Sequence, residues 1–176
     1  AITWVEGSAS HPGVVSAANS LVGAATEDLM AYGQALTNGN FVIVAPNWDN
    51  GALVDAGAVM WGDGTKPLVG TISATNSLVG GSAKDIVGSI NYAAVLTNGN
   101  YVVESPLWHD ASGKRVGAAT WGDGTKGVKG VVSAANSLVG ASEADTTGMW
   151  VTPLTNGNYV VGNTAITLVD CTKGVV

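Results

Sequence analysis

An all-β fold of three repeats, each with four short antiparallel strands, is predicted for this chain by three observations. Leu-Thr-Asn-Gly-Asn followed by an aromatic residue and valine stands at 36–42, 96–102 and 154–160. Ala-Val-Met-Trp-Gly-Asp-Gly-Thr-Lys at 58–66 returns as Ala-Ala-Thr-Trp-Gly-Asp-Gly-Thr-Lys at 118–126. Ser-Leu-Val-Gly stands at 20–23, 77–80 and 137–140. Asn-Gly between alternating apolar runs is a strong hairpin signal, and a type I′ turn would put both residues at positive φ.

In chain order, Ala1-Ile2-Thr3-Trp4 reads as a first strand, copied at Ala58 to Trp61, Ala118 to Trp121 and, more loosely, Ala165 to Leu168. In the middle copies Asp63-Gly64 and Asp123-Gly124 read as a second hairpin turn. The next strand runs from Val14, Leu68 or Val128 through Ser-Leu-Val-Gly. A segment of small residues follows, with Asp28, Asp85 and Asp145 at matching positions. A third strand enters the Asn-Gly hairpin, and the fourth leaves it at Phe41 to Val44 or Tyr101 to Val103. Polar loops, Pro46-Asn47-Trp48-Asp49-Asn50-Gly51 and Pro106-Leu107-Trp108-His109-Asp110, return the chain to its first strand.

Trp4, Trp61 and Trp121 stand 57 and 60 residues apart. Four strands in such a period, in units unable to bury their own faces, fit a β-propeller blade. The expected organisation is a single repeat domain over 1–176, with approximate repeats 1–57, 58–117 and 118–176. A parallel β-solenoid or a three-fold β-trefoil-like form is the alternative, and the hairpin signals weigh against a solenoid.

Composition narrows the function. With 46% hydrophobic residues interleaved with turn signals, the chain is not of the disordered type. A net charge of -6 without a Lys/Arg cluster opposes a nucleic-acid partner. No apolar run approaches the roughly 20 residues of a membrane-spanning helix, so no membrane span is expected. Ala1 stands where a Met would begin a nascent chain, which suggests a processed or excised polypeptide. Cys171, the single cysteine, cannot form an intramolecular disulfide and reads as a small apolar strand residue, with a free thiol or an intermolecular bridge as the alternatives.

Small residues with an Asp, a strand ending in Val-X-Ala-Pro or Val-X-Ser-Pro, a polar loop and then Gly-Ala-X-X-Trp resemble the FG-GAP blade of integrin α-subunit propellers. The tandem pattern Asn-Ser-Leu-Val-Gly, Leu-Thr-Asn-Gly-Asn-Tyr-Val-Val, Pro-Asn-Trp-Asp-Asn-Gly resembles repeats of large bacterial filamentous-haemagglutinin-like surface proteins. That resemblance implies a secreted or cell-surface adhesin-like or structural role. The chain lacks the closely alternating aspartates of an FG-GAP calcium loop. Asn47, Asp49, Asn50 and Asp55 are the candidate calcium ligands, short of the six to eight oxygens the ion requires; no other cofactor is expected.

No enzyme is expected, because chemistry placed in one copy runs against the repetition. His11 and His109 occupy non-equivalent places and make no metal set. Glu27, Glu104 and Glu143 are the carboxylates that a glycosidase would have to pair with aspartates. Trp61, Trp121 and Trp4 are expected in the packed interior. The candidate ligand-binding residues are Trp48 with Asn47, Asp49 and Asn50, and Trp108 with His109 and Asp110, since an aromatic face beside orienting polar groups suits a sugar or a protein; the competing reading packs both tryptophans down as plugs between adjacent blades. The expected function is therefore a non-enzymatic extracellular structural or adhesive module that associates with itself as a ring or filament. The alternative is a lectin-like propeller binding glycans or a cell-surface protein through the Trp loops.

Overall fold

The structure is a computed structural model, and it describes residues 1–8, 10, 12–23, 28, 31–89, 93–143 and 145–162. His11, Glu27, Cys171 and the strand expected at Ala165 to Leu168 lie outside the described residues. Those described contain strands and turns and no helix. The first strands in the chain are β1 (Leu21–Val22), β2 (Tyr32–Ala35), β3 (Phe41–Ala45), β4 (Ala58–Gly62), β5 (Gly70–Thr71) and β6 (Ser77–Val79). The second copy supplies β7 (Ala93–Val95), β8 (Tyr101–Ser105), β9 (Ala118–Gly122), β10 (Gly130–Val131) and β11 (Leu138–Val139), and the third β12 (Trp150–Pro153) and β13 (Tyr159–Gly162).

Two repeats form antiparallel four-stranded meanders, β2-β3-β4-β6 and β7-β8-β9-β11. Between repeats the strands pair in parallel: β10 adds to the outer edge of β6, and β5 adds in the same way to β1. Each repeat thus lends a short strand to the sheet before it. A parallel solenoid would instead pair successive coils in parallel throughout. Among the described residues the sheets form an open row rather than a closed ring.

The row stacks by one rule. In the first meander, Val42 and Val44 of β3 and Val59 of β4 face the second, where they share a core with Tyr101, Val103 and Ala118. The opposite face, Ile43, Ala45, Ala58 and Met60, packs on Ile2 and Leu21. The second meander turns Val102 and Ala119 toward Val151 and Val161 of the third copy. Alternate side chains of one strand therefore serve two different neighbours, which is why Val42 to Ala45 are buried without a break. Each fully buried valine contributes about 1.5 to 3 kcal/mol.

Two expectations are corrected. The Asn-Gly turns are three-residue loops, not type I′ turns: Leu36 pairs with Asn40, the Gly39 N–H donates to the Leu36 carbonyl at 3.2 Å, and only the glycine has positive φ, 89°. This is a type I turn closed by a left-handed glycine, and Leu96 to Asn100 and Leu154 to Asn158 repeat it. The Asp63-Gly64 and Asp123-Gly124 turns make no hairpin, because the chain passes from them toward the preceding sheet. The strand expected from Leu68 to Gly80 is likewise two strands, β5 and β6, in different sheets. Asn76 causes the break: its Oδ1 accepts the Ser73 N–H and the Ser77 hydroxyl, while its Nδ2 donates to the Thr71 carbonyl.

Candidate functional site

The proline-led loops start where β3 and β8 end, and there the structure inverts the expectation for the tryptophans. The Trp48 N–H donates to the Ala45 carbonyl at 3.2 Å and its own carbonyl accepts the Gly57 N–H at 2.9 Å. Trp108 is tied in the same way to Ser105 and to Val116 and Gly117. Anchored on both sides, the turn drops each indole into the apolar gap between sheets, where Trp48 is 6% and Trp108 7% exposed. Neither offers a flat face to a ligand. The strand tryptophans are the more open ones, Trp61 and Trp4 half-buried and Trp121 43% exposed.

The polar neighbours of these tryptophans do converge, but on one another. Asn47 donates its Nδ2 to Asp55 Oδ1 at 3.1 Å, and the Asp55 N–H donates to Asp49 Oδ1 at 2.8 Å. Asn50 donates its Nδ2 to the Gly80 carbonyl at 3.0 Å. The four calcium candidates share a loop whose amides and carboxylates satisfy each other and the backbone. In the second copy Asp110 Oδ1 accepts from the Ser112 N–H, the Ser112 hydroxyl and the Lys114 N–H. The Ser112 hydroxyl bond is the main reason the Asp110 carboxyl lies below its usual range. Among the described residues, no three of His, Cys, Asp or Glu are grouped so that they could hold a metal ion.

His109 takes part in a joint between repeats. Asp85 is fully buried, and its Oδ2 accepts the N–H groups of Gly81 and Ser82 at 2.9 and 2.8 Å. Its Oδ1 reaches the next repeat, accepting the His109 N–H at 3.0 Å and meeting His109 Nδ1 at 2.9 Å. Asp28 does the same one repeat earlier, accepting the Asp49 N–H at 3.3 Å. Asp145 caps its own turn through Ala141, Ser142 and the Ser142 hydroxyl. Glu104, the buried carboxylate of β8, accepts the Val151 N–H of the third copy at 3.1 Å, as Gln34 Oε1 accepts that of Ala93.

A second joint lies at the hairpin end. The Trp4 indole donates to the Gly64 carbonyl and the Trp61 indole to the Gly124 carbonyl, each one repeat ahead. Asn38 and Asn40 also donate their Nδ2 groups to Gly124, at 2.7 and 2.8 Å. Within a repeat, Asn40 Oδ1 accepts the Gly64 N–H and Asn100 Oδ1 that of Gly124. A Cβ on Gly64 or Gly124 would collide with the Gly39 or Gly99 carbonyl, so this close approach admits only glycine. Asp63 and Asp123 hold the turns themselves: the hydroxyl bond from Thr65 comes first among the causes that bring Asp63 down to about 2. Sequence reasoning missed these roles, although recurrence of Asp, Asn and Trp at fixed places was the signal for them.

The repeat described as a repeat of unknown function (DUF5650) matches the chain three times, over residues 1–32, 35–89 and 95–149. The chain belongs to this family. The two long DUF5650 matches begin in the strand that enters the hairpin and extend beyond the aspartate-capped turn, and each takes in most of one meander. Comparison with curated proteins and with solved structures gives no match.

Proposed function

We propose that this chain is a non-enzymatic structural or adhesive module of an extracellular or cell-surface assembly, built as a stack of propeller-like blades that associates with itself. One observation carries the reading: a set of polar residues that recur in step joins one repeat to the next. Trp4 and Trp61 make the same joint, as do Asp28 and Asp85, and the hairpin asparagines Asn38 and Asn98 also reach the next repeat, at the Gly124 and Gly157 carbonyls. A chain whose units contact only their neighbours through a constant joint is suited to extension. Burial of both faces of a four-stranded antiparallel sheet supports the blade-like reading. Low charge and the resemblance to bacterial surface repeats support the location.

The test combines a glycan array with light scattering and negative-stain imaging of the purified chain. Assemblies in solution and no sugar signal are expected. A monomer that binds glycans, and loses them on substitution of Asn50 or Asp110, would overturn the proposal in favour of a lectin.

A further inference from the structure

The side of the row formed by the proline-led loops carries charge of two signs in two halves. The 46–57 loop lies along the 81–88 turn, where the Lys84 N–H donates to the Val54 carbonyl at 2.9 Å and the Ile86 N–H to the Asp55 carbonyl at 3.1 Å. On its other side the same turn meets the 108–117 loop, because Asp85 accepts the His109 N–H at 3.0 Å, and His109 bridges to Arg115. The order across this surface is therefore Asp49, Asp55, Lys84, His109, Arg115. Asp55 and Lys84 mark the boundary between an acidic and a basic half.

The two loops are equivalent pieces of chain with opposite charge. Trp48 to Gly57 aligns with Trp108 to Gly117 without a gap, so Asp49 answers to His109, Val54 to Lys114 and Asp55 to Arg115. Lys84 joins Lys114 and Arg115 only in the fold. All three are exposed and make no ion pair among the described residues, whereas Lys66 and Lys126 are paired with Asp63 and Asp123. The carboxylates of the basic half are already engaged: Asp85 is fully buried on backbone donors and His109, and Asp110 Oδ1 accepts three bonds from its own turn. Asp49 and Asp55 stay partly exposed.

We propose that this face binds the same face of a second copy of the chain about a two-fold axis at the Asp55–Lys84 boundary. The inference rests on the self-association read above and names its surface. Such an axis reverses the order of charges, setting Lys84 of each copy opposite Asp55 of the other and the His109–Arg115 arm opposite Asp49. A single exposed ion pair contributes little, but the symmetry makes every pair twice and sets them in one row. The opposite orientation brings like charges together and is rejected. A polyanion fits this face less well, since one that covers the basic half runs on toward Asp49 and Asp55.

Charge exchange tests this. Lys84→Glu with Arg115→Glu makes the whole face acidic, and Val54→Lys with Asp55→Lys makes it basic. Sedimentation at low micromolar concentration and low salt should show association for the wild type, monomers for each variant alone, and a one-to-one heterodimer when the two are mixed. Raising the salt to about 0.5 M should weaken the wild-type association by about tenfold or more, because screening shortens the reach of exposed charges. Circular dichroism and melting curves confirm that the variants fold. Val54→Lys alone, at a side chain 52% exposed, serves where Asp55→Lys does not fold, since Asp55 also accepts the Asn47 amide. If the wild type associates and both variants still do so alone, this face is wrong while self-association stands. A wild type that stays monomeric at every salt concentration removes both, and a mixture that stays monomeric overturns the two-fold contact. A monomeric wild type that binds dextran sulfate, and loses it with Lys84→Glu and Arg115→Glu, overturns the proposal in favour of a polyanion site.

Discussion

The indole N–H of Trp61 donates to the carbonyl of Gly124 at 3.0 Å, across 63 residues of chain and from one repeat to the next. Trp121 has the same place in its own repeat, yet it is 43% exposed. Two equivalent positions thus differ in what surrounds them among the described residues. Trp61→Phe should cost about 1 kcal/mol through the lost hydrogen bond, softened because Asn38 and Asn40 also serve Gly124. Trp121→Phe should stay within about 0.5 kcal/mol. Urea unfolding of the two variants measures both; equal losses would dissolve the asymmetry.

Fully buried, Asp85 accepts three backbone N–H groups from two repeats and meets the His109 ring at Nδ1. Asp85→Ala strands those donors and should cost about 3 to 5 kcal/mol. His109→Ala removes only the ring contact and should cost about 1 kcal/mol, since the His109 N–H bond is kept. Thermal melts of the two variants decide whether the aspartate or the histidine organises the joint, and a larger loss for His109 would reverse the assignment.

The meanders are legible in the sequence because apolar runs, glycines and Asn-Gly punctuate them, and strands buried on both faces leave continuous runs such as Phe41 to Ala45. Two things are not legible. The two-residue strands β5 and β10 are too short to carry a period, so their parallel pairing with the previous repeat leaves no pattern. The exposure of Trp48 and Trp108 is misread for a different reason: their Asn, Asp and Gly neighbours describe what the backbone of a turn needs, whereas the indole goes where the gap between sheets is. The hairpin glycines are correctly anticipated as positive-φ positions, and the asparagines are not, because Asn38 and Asn98 use their side chains to reach the next repeat instead.

Asp63, Asp110, Asp123 and Asp145 are all held below the usual carboxylate range, first of all by hydroxyl bonds from Thr65, Ser112, Thr125 and Ser142 respectively. A carboxyl whose folded pKa is depressed adds stability above its unfolded value of about 3.9, and that stability is lost as the pH falls through the folded value. For Asp63 the window closes at about 2. The melting temperature should therefore fall as the pH is lowered from about 4 to about 2. Replacing Asp63 and Asp123 by Asn should lower it at neutral pH and flatten the acid slope. Calorimetry across this range checks it, and an unchanged slope in the double variant removes the turn carboxylates as the cause.

Tyr101 titrates at the opposite extreme. Its ring is fully buried between the two meanders, and its hydroxyl oxygen accepts the Val128 N–H at 3.2 Å. Burial pushes the phenol up to about 12, because the tyrosinate would be formed away from water; the Val128 bond opposes the shift and the nearby Asp123 charge adds to it. A folded pKa raised above the unfolded value of about 10 means that the folded chain holds this proton more tightly. The stability it contributes is complete below about 10 and is lost as the pH rises through about 12. Tyr101→Phe removes the titration but leaves the Val128 N–H without its acceptor, which costs about 1 to 2 kcal/mol at neutral pH. The stability curves of wild type and variant should therefore lie apart at neutral pH and approach each other in strong alkali. Urea midpoints across the alkaline range test this against the ultraviolet signal of tyrosinate. Curves that stay parallel throughout would show that this phenol is not the group that limits the fold in base.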